Sequence, residues 1–125
     1  MDRHDVRRWV DAYEQAWRSA GTARLAGLFT QDATYRASPW VPPVEGLVAI
    51  SEFWETEREG PDEDFTMISG VVAVDGDTAV VAAEVEYGGP DPARWRDLWV
   101  LRFAVDGRCR AFEEWPFAPE RADGH

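Results

Sequence analysis

Two carboxyl residues in the last third of the chain, Asp97 and Glu114, are the side chains best placed to do chemistry. Each lies in a run of β-branched and aromatic residues, RWRDLWVLRF and CRAFEEWPF, which predicts a strand. A carboxyl group on the inner wall of an aromatic-lined fold loses hydration, so it can hold a proton near neutral pH. Such a group can act as a general acid or base, with Tyr13 as a hydrogen-bond donor.

Other reactive side chains are scarce. All thirteen basic residues are arginine, which excludes a lysine Schiff base and a P-loop lysine. Histidine occurs only as His4 and His125, near the two ends of the sequence, so we expect neither a histidine base nor a multi-histidine metal site. Cys109 is the single cysteine, which excludes an internal disulfide and fits a reducing compartment. We therefore expect no cofactor and no metal ion.

Charge and hydropathy narrow the range of partners. The formal net charge of −11 argues against binding to nucleic acid or to an anionic membrane, both of which attract basic surfaces. The first residues, MDRHDVRRWV, lack the apolar core of a signal peptide, and no apolar run approaches the roughly 20 residues of a membrane span. These features predict a cytoplasmic protein that contacts neither nucleic acid nor membrane.

The elements that must position the carboxyl groups follow from periodicity. Apolar residues three and four apart predict a helix over residues 5–20, which Gly21 ends. A short second helix, capped by Thr22, is predicted to run to Leu28. A third is predicted over residues 45–58, where Gly60-Pro61 stops it. Strands are predicted at residues 33–37, 65–74, 78–87, 95–104 and 109–117. The sequence thus predicts an α+β fold: three N-terminal helical segments packed on a curved antiparallel sheet of four or five strands. One domain should span residues 1–118, with residues 119–125 as a flexible tail.

The short turn VDGR sets the register of the last hairpin, placing Trp99 opposite Glu114 and Leu101 opposite Phe112. Alternation along the strands then turns an apolar face toward the helices and leaves charged residues on the convex face. Those charged residues, expected in solvent or at a dimer interface, are Glu84, Glu86, Arg96, Arg102 and Glu113. The inward-facing residues that we predict to bind a small hydrophobic or aromatic molecule are Tyr13, Trp17, Tyr35, Trp54, Tyr87, Asp97, Trp99 and Glu114.

A structural interpretation of the same residues stays open. Regularly spaced tryptophans such as Trp17, Trp54 and Trp99 are often core residues, and a tyrosine hydroxyl can be satisfied inside a core. Asp97, near the start of its strand, could be a carboxylate in water at the rim. The competing hypothesis is therefore a non-catalytic dimerisation or partner-binding module whose interior is filled by aromatic side chains.

The order of several segments resembles a known family. AYEQAW, LAGLFTQDATY, VEGLVAISEFW, VVAVDGDTAVVAAEVEY and WVLRFAVDGRCRAFEEWPF are similar to segments of the nuclear transport factor 2-like superfamily, and within it of the SnoaL-like proteins, over almost the whole chain. The resemblance implies the cystatin-like, cone-shaped fold of that superfamily. It also implies a homodimer through the convex sheet face, with Trp115 and Phe117 at its apolar centre; Trp40 is expected at a rim or interface.

The enzymes in this family imply several reactions, and this sequence departs from each of them. Ketosteroid isomerases carry a base before the proline that ends the first strand, where this chain has Ala37 and Ser38; their oxyanion aspartate falls on Trp99, although Tyr13 matches their tyrosine. The SnoaL-type cyclases and scytalone dehydratases use buried histidines. The related epoxide hydrolases use an Asp-Arg-Asp cluster, for which only Asp97 is a candidate. An acid/base isomerase, cyclase or hydrolase therefore remains possible, with the reaction left open.

Overall fold

The computed structural model describes residues 1–58 and 64–123, in which two helices, two strands, a third helix and four further strands follow one another. The helices are α1 (Arg3–Trp17), α2 (Leu25–Leu28) and α3 (Leu47–Glu57). The strands are β1 (Phe29–Arg36), β2 (Val44–Glu45), β3 (Phe65–Asp75), β4 (Thr78–Tyr87), β5 (Ala93–Phe103) and β6 (Cys109–Phe117). The predicted α+β architecture, with three helical segments on a curved sheet, is confirmed.

The sheet is larger than predicted and is mixed. Its strand order is β2-β1-β6-β5-β4-β3, so it has six strands rather than four or five. Strands β3 to β6 form the predicted antiparallel meander, but β1 pairs with β6 in parallel. The prediction of a wholly antiparallel sheet was wrong because short turns reveal only sequential hairpins, whereas this pairing joins residues far apart in the chain.

Both ends of α1 differ from the prediction. The helix begins at Arg3, before Asp5, because the Asp2 side chain accepts a hydrogen bond from the Asp5 backbone N–H at 2.8 Å and caps the helix. It ends at Trp17 with Arg18 as its cap, and Gly21, with φ of 72°, lies farther along the connecting turn.

The segment from Thr22 to α3 also needs correction. Thr22 does not cap α2, which starts at Leu25. Strand β1 begins at Phe29, before the predicted start at residue 33, and ends at Arg36, one residue before the predicted end. The predicted start of the third helix forms the two-residue strand β2 instead, after which Gly46 adopts φ of 90° and α3 begins. Glycine is suited to this position because a side chain disfavours positive φ. The Gly60-Pro61 stop lies outside the described residues.

Aromatic residues fill the centre of the fold between α1 and the sheet. The Trp9 indole N–H donates to the Leu28 carbonyl at 3.0 Å. The Phe112 ring of β6 stacks on Tyr13, with centroids 5.5 Å apart, and on Tyr35, with centroids 4.5 Å apart. Such contacts bury large apolar areas and fix ring positions.

The described chain continues for a few residues after β6. Residues Pro119–Arg121 form an exposed 3-10 helix after β6, and a flexible tail over residues 119–125 stays a prediction. Within residues 1–58 and 64–123, no helix is long and apolar enough to span a membrane.

Candidate functional site

The register of two hairpins places the candidate site residues on one face of the sheet. Trp99 lies opposite Glu114 and Leu101 opposite Phe112, as predicted from the turn. Asp97 lies opposite Pro116, so Asp97 and Glu114 are diagonal neighbours on adjacent strands. Diagonal side chains on one face are close enough to interact. The tight turn thus brings the two carboxyl groups together.

A cavity of about 300 Å³ lies over this face of the sheet. Its described lining includes seven of the eight residues that the sequence predicted as ligand contacts: Tyr13, Trp17, Tyr35, Tyr87, Asp97, Trp99 and Glu114. Trp54, the eighth, is fully buried and packs edge-on against Tyr13 and Trp17, with ring centroids at 5.2 and 4.8 Å. Trp54 therefore supports the wall of the cavity from behind.

Asp97 is the unusual polar group of the cavity. The residue is only 7% exposed, and its Oδ1 atom is buried without a hydrogen bond. Burying an unpaired carboxyl oxygen is costly, so such atoms are rare outside functional sites. Asp97 is also one of the residues that line the cavity.

The neighbouring Glu114 has a perturbed acidity. Burial raises the pKa of its carboxyl group well above the ordinary value, and the hydrogen bond and negative charge of Asp97 raise this pKa further. The Trp99 indole N–H opposes these effects and lowers the pKa, but by less. Two adjacent carboxyl groups that cannot both ionise readily share a proton. The pair is suited to proton transfer.

Two tyrosine hydroxyls lie deeper in the same cavity. The Tyr13 and Tyr35 oxygens are 3.0 Å apart and hydrogen-bonded. Burial raises the pKa of both hydroxyls well above the usual tyrosine range, and the Glu114 charge raises both further. Both groups therefore stay neutral and retain protons to donate.

Some residues that line the cavity were not among the predicted ligand contacts. Strand alternation puts Phe65, Met67 and Val85 on the inner face, and Trp95 alternates with Asp97 and Trp99, so this pattern could have identified all four. The others are Glu14, Ala37, Glu57 and Pro116. Glu14 is paired with Arg18 at 3.0 Å, and the Arg18 guanidinium lies over the Phe65 ring, 3.9 Å from its centroid. The spacing of four residues between Glu14 and Arg18 on the predicted helix could have indicated their ion pair, but no sequence pattern indicated the contact with Phe65.

Metal ligands are not gathered anywhere in the described part of the chain. No group of three or more His, Cys, Asp and Glu side chains that could hold a metal ion occurs there. His4 is exposed on α1, and His125 lies outside the described residues.

The sequence and its fold were compared with known proteins. A family model described as SnoaL-like domain matches residues 6–112, which is most of the chain. The chain belongs to the SnoaL-like family. No protein with a curated description matches the sequence.

Solved structures agree with this family assignment at the level of the fold. A ketosteroid isomerase-like protein from Erwinia carotovora atroseptica is 21% identical, with 94% of this chain and 97% of that chain covered and a TM-score of 0.67. The epoxide hydrolase/cyclase-like enzyme SalBIII, with a role in pyran ring formation in the polyether salinomycin, is 18% identical, with 93% of each chain covered and a TM-score of 0.72. An LEH-like epoxide hydrolase from M. tuberculosis is 12% identical, with 91% and 84% covered and a TM-score of 0.66. At these identities the likeness extends to the fold alone.

The end of β1, where the resemblance to ketosteroid isomerases would place a base, has no carboxyl group here. Ala37 lines the cavity beyond the last residue of β1, and Ser38 follows it. Carboxyl groups in the described cavity wall come instead from α1, α3, β5 and β6. The acid/base candidates therefore lie on the β5–β6 hairpin.

The convex face carries both ion pairs and apolar side chains. Glu84 pairs with Arg96 at 3.2 Å and Glu86 with Arg94 at 3.3 Å across β4 and β5. Trp115 and Phe117 are 41% and 43% exposed on β6. Trp40, which is 96% exposed, lies in the loop after β1. The predicted placement of Glu84 and Arg96 outside the cavity is confirmed.

Proposed function

We propose that this SnoaL-like protein binds a small hydrophobic or aromatic molecule in the cavity and performs acid/base chemistry on it. Asp97, which lines the cavity and whose Oδ1 is buried and unpaired, carries the proposal. Asp97 accepts a proton from the bound molecule, and Glu114, whose burial favours the protonated form, donates one. Tyr13 donates a hydrogen bond to the oxygen on which charge develops.

The aromatic wall supports the binding part of the proposal. Small-molecule sites are concave, mostly apolar and equipped with a few polar groups that fix orientation. Here the polar tips of Tyr13, Tyr35, Asp97 and Glu114 are set among tryptophan and other aromatic side chains. The reaction class that fits two adjacent carboxyl groups is a proton transfer, as in isomerisation, cyclisation or hydrolysis.

Binding is tested first, by a thermal-shift screen over steroids, terpenoids and aromatic polyketides. A ligand that binds only the folded state at about 100 times its Kd adds roughly 2.7 kcal/mol to the free energy of unfolding. Tryptophan fluorescence should report the same ligands in a saturable titration, because Trp17, Trp95 and Trp99 line the cavity. If no compound raises the melting temperature or changes the fluorescence, the interior is closed and the proposal fails.

Chemistry is tested by hydrogen–deuterium exchange of the identified ligand in D2O, followed by NMR. An acid/base site should exchange an acidic C–H proton of the ligand even when the product is unknown. Asp97→Asn should abolish the exchange while binding persists, and Glu113→Gln, which changes a carboxyl group on the other face of β6, should leave it intact. Equal exchange in Asp97→Asn and the unmodified protein would remove Asp97 from the mechanism.

We also propose a second role, homodimerisation through the convex face. In this proposal the convex faces of two copies of the sheet meet in a two-fold contact. Gly70, Ala82, Leu98 and Trp115 lie side by side across β3 to β6 and form an uncharged row. Leu98 and Trp115 are partly exposed, and a self-complementary contact would cover them. Sedimentation should give a dimer that Trp115→Glu dissociates and Trp40→Glu does not. A monomer at all concentrations would exclude this contact.

A further inference from the structure

The cavity has a marked imbalance of charge. Four acidic residues line it, namely Glu14, Glu57, Asp97 and Glu114, whereas none of the described lining residues is basic. Arg18 neutralises Glu14 from outside the lining, at 3.0 Å. No described basic side chain forms a salt bridge with Asp97 or Glu114 in the structure. The inner part of the cavity thus holds carboxyl groups without a counter-charge.

The buried oxygen of Asp97 is a second, independent observation. Its Oδ1 is enclosed and has no hydrogen-bond donor, although the residue is only 7% exposed. A carboxylate in such surroundings is stabilised most by a ligand that brings both a positive charge and an N–H donor. A ligand without a hydrogen-bond donor would leave the desolvation of this oxygen uncompensated.

The aromatic wall suits the same kind of ligand. Trp17, Tyr87, Trp95 and Trp99 surround the approach to the carboxyl pair. Aromatic ring faces attract organic cations, and the attraction grows where water is excluded. The protein already uses this interaction at the cavity wall, where the Arg18 guanidinium lies 3.9 Å from the centroid of Phe65.

We propose that the molecule bound in this cavity is a small organic cation, a protonated amine on an apolar or aromatic body, whose ammonium group pairs with Asp97 beside Glu114. This proposal rests on the proposed binding function and specifies the class of its ligand. Asp97 accepts the N–H donor through Oδ1, and the aromatic side chains contact the body of the ligand. The net charge of −11 assists the approach of such a cation.

Three compounds that share one aromatic body test the charge preference: naphthylmethylamine, naphthylmethanol and naphthoate, titrated calorimetrically at neutral pH and fixed salt. The amine should bind at least about tenfold more tightly than the alcohol, which corresponds to about 1.4 kcal/mol. Naphthoate should bind most weakly, because its carboxylate meets Asp97. If the alcohol or naphthoate binds as tightly as the amine, the cation proposal is wrong while the proposed binding function stands. If none of the three binds and the hydrophobic library also fails, both are wrong.

Variants locate the source of the preference. Asp97→Asn should bind the amine and the alcohol with similar affinity, because the charge is lost while the shape is kept. Glu113→Gln, with its change on the opposite face of β6, should retain the preference of about tenfold. Asp97→Ser also removes the charge and serves as the second variant if Asp97→Asn does not fold; it too should bind the amine and the alcohol with similar affinity. A preference that survives in a folded Asp97 variant would overturn the assignment to Asp97.

Discussion

The hydroxyl oxygens of Tyr13 and Tyr35 lie 3.0 Å apart in the buried part of the cavity, although the residues are 22 positions apart in the chain. One hydroxyl donates and the other accepts, so the second proton is left for a partner in the cavity. Phe112 stacks on both rings and holds them in place. This contact joins α1 to β1 through polar atoms inside an aromatic core.

The tyrosine contact predicts a measurable coupling. Tyr13→Phe and Tyr35→Phe should each lower the free energy of unfolding by about 1–2 kcal/mol, because each leaves a buried hydroxyl without its partner. The double variant should cost less than the sum, by at least about 0.5 kcal/mol. Urea unfolding of the four proteins measures the cycle. Strict additivity would mean that the two hydroxyls do not interact in solution.

Glu114 predicts a dependence of stability on pH. Its pKa in the folded protein lies above the ordinary value of 4.5, so the folded state holds a proton that the unfolded state has lost over the interval between the two values. The free energy of unfolding therefore falls as pH rises through this interval, by up to about 1.4 kcal/mol per pH unit. Below the unfolded value both states are protonated and this contribution is constant.

The contribution of Glu114 to the pH dependence of stability can be isolated by comparing a variant with the unmodified protein. Glu114→Gln cannot ionise, so its free energy of unfolding relative to the unmodified protein should increase as pH rises above about 4.5. Glu113→Gln, which removes a carboxyl group on the other face of β6, is the control. Chemical denaturation at a series of pH values provides both curves. A flat difference for Glu114→Gln would show that its carboxyl group has an ordinary pKa in the folded state.

The sequence predicts the carboxyl pair because a tight turn is a local signal. VDGR fixes the hairpin register, and strand alternation then puts Asp97, Trp99 and Glu114 on one face. The same alternation indicates Trp95, which also lines the cavity. Features that depend on short-range pairing or on periodicity could therefore be predicted from the sequence. They include most of the aromatic side chains that line the cavity.

Long-range contacts could not be predicted in this way. The parallel pairing of β1 with β6 joins Tyr35 to Phe112, and no local pattern encodes it. Arg58 is a second example: its position at the end of α3 gave no sign that it contacts the end of α1. Such contacts depend on how the helices cross the sheet, which is decided by the packing of the whole domain.

Arg58 predicts a large loss of stability on substitution. Its guanidinium donates to the carbonyls of Ala16 at 3.1 Å, Ser19 at 2.6 Å and Gly21 at 3.0 Å. These hydrogen bonds satisfy carbonyl groups at the C-terminal end of α1 and in the turn that follows it. Arg58→Met should lower the free energy of unfolding by about 3 kcal/mol or more, because these buried carbonyls lose a charged donor. Thermal and urea unfolding measure the loss.

Arg96→Met is the matched control for Arg58. Arg96 pairs with Glu84 on the exposed convex face, where ion pairs contribute little to stability, so the same change in size and charge should have a small effect. Arg58→Lys should recover only part of the stability, since one ammonium group cannot reach all three carbonyls in the geometry of a planar guanidinium. Equal stabilities for Arg58→Met and Arg96→Met would contradict the capping role.

Cys109 predicts a thiol that reacts only when the protein unfolds. The side chain is fully buried at the start of β6, its Sγ–H donates to the Ala111 carbonyl at 3.2 Å, and burial raises the pKa of the thiol to about 12. The thiolate is the reactive form, so at neutral pH both access and ionisation oppose alkylation. Labelling with iodoacetamide should therefore be very slow in native buffer and fast in urea.

Val105→Cys in a Cys109→Ala background is the control. It puts a thiol on the exposed turn before β6 and should label rapidly without denaturant. Native Cys109 labelling at the rate of that exposed thiol would mean that β6, and with it the wall that carries Glu114, opens readily in the folded protein.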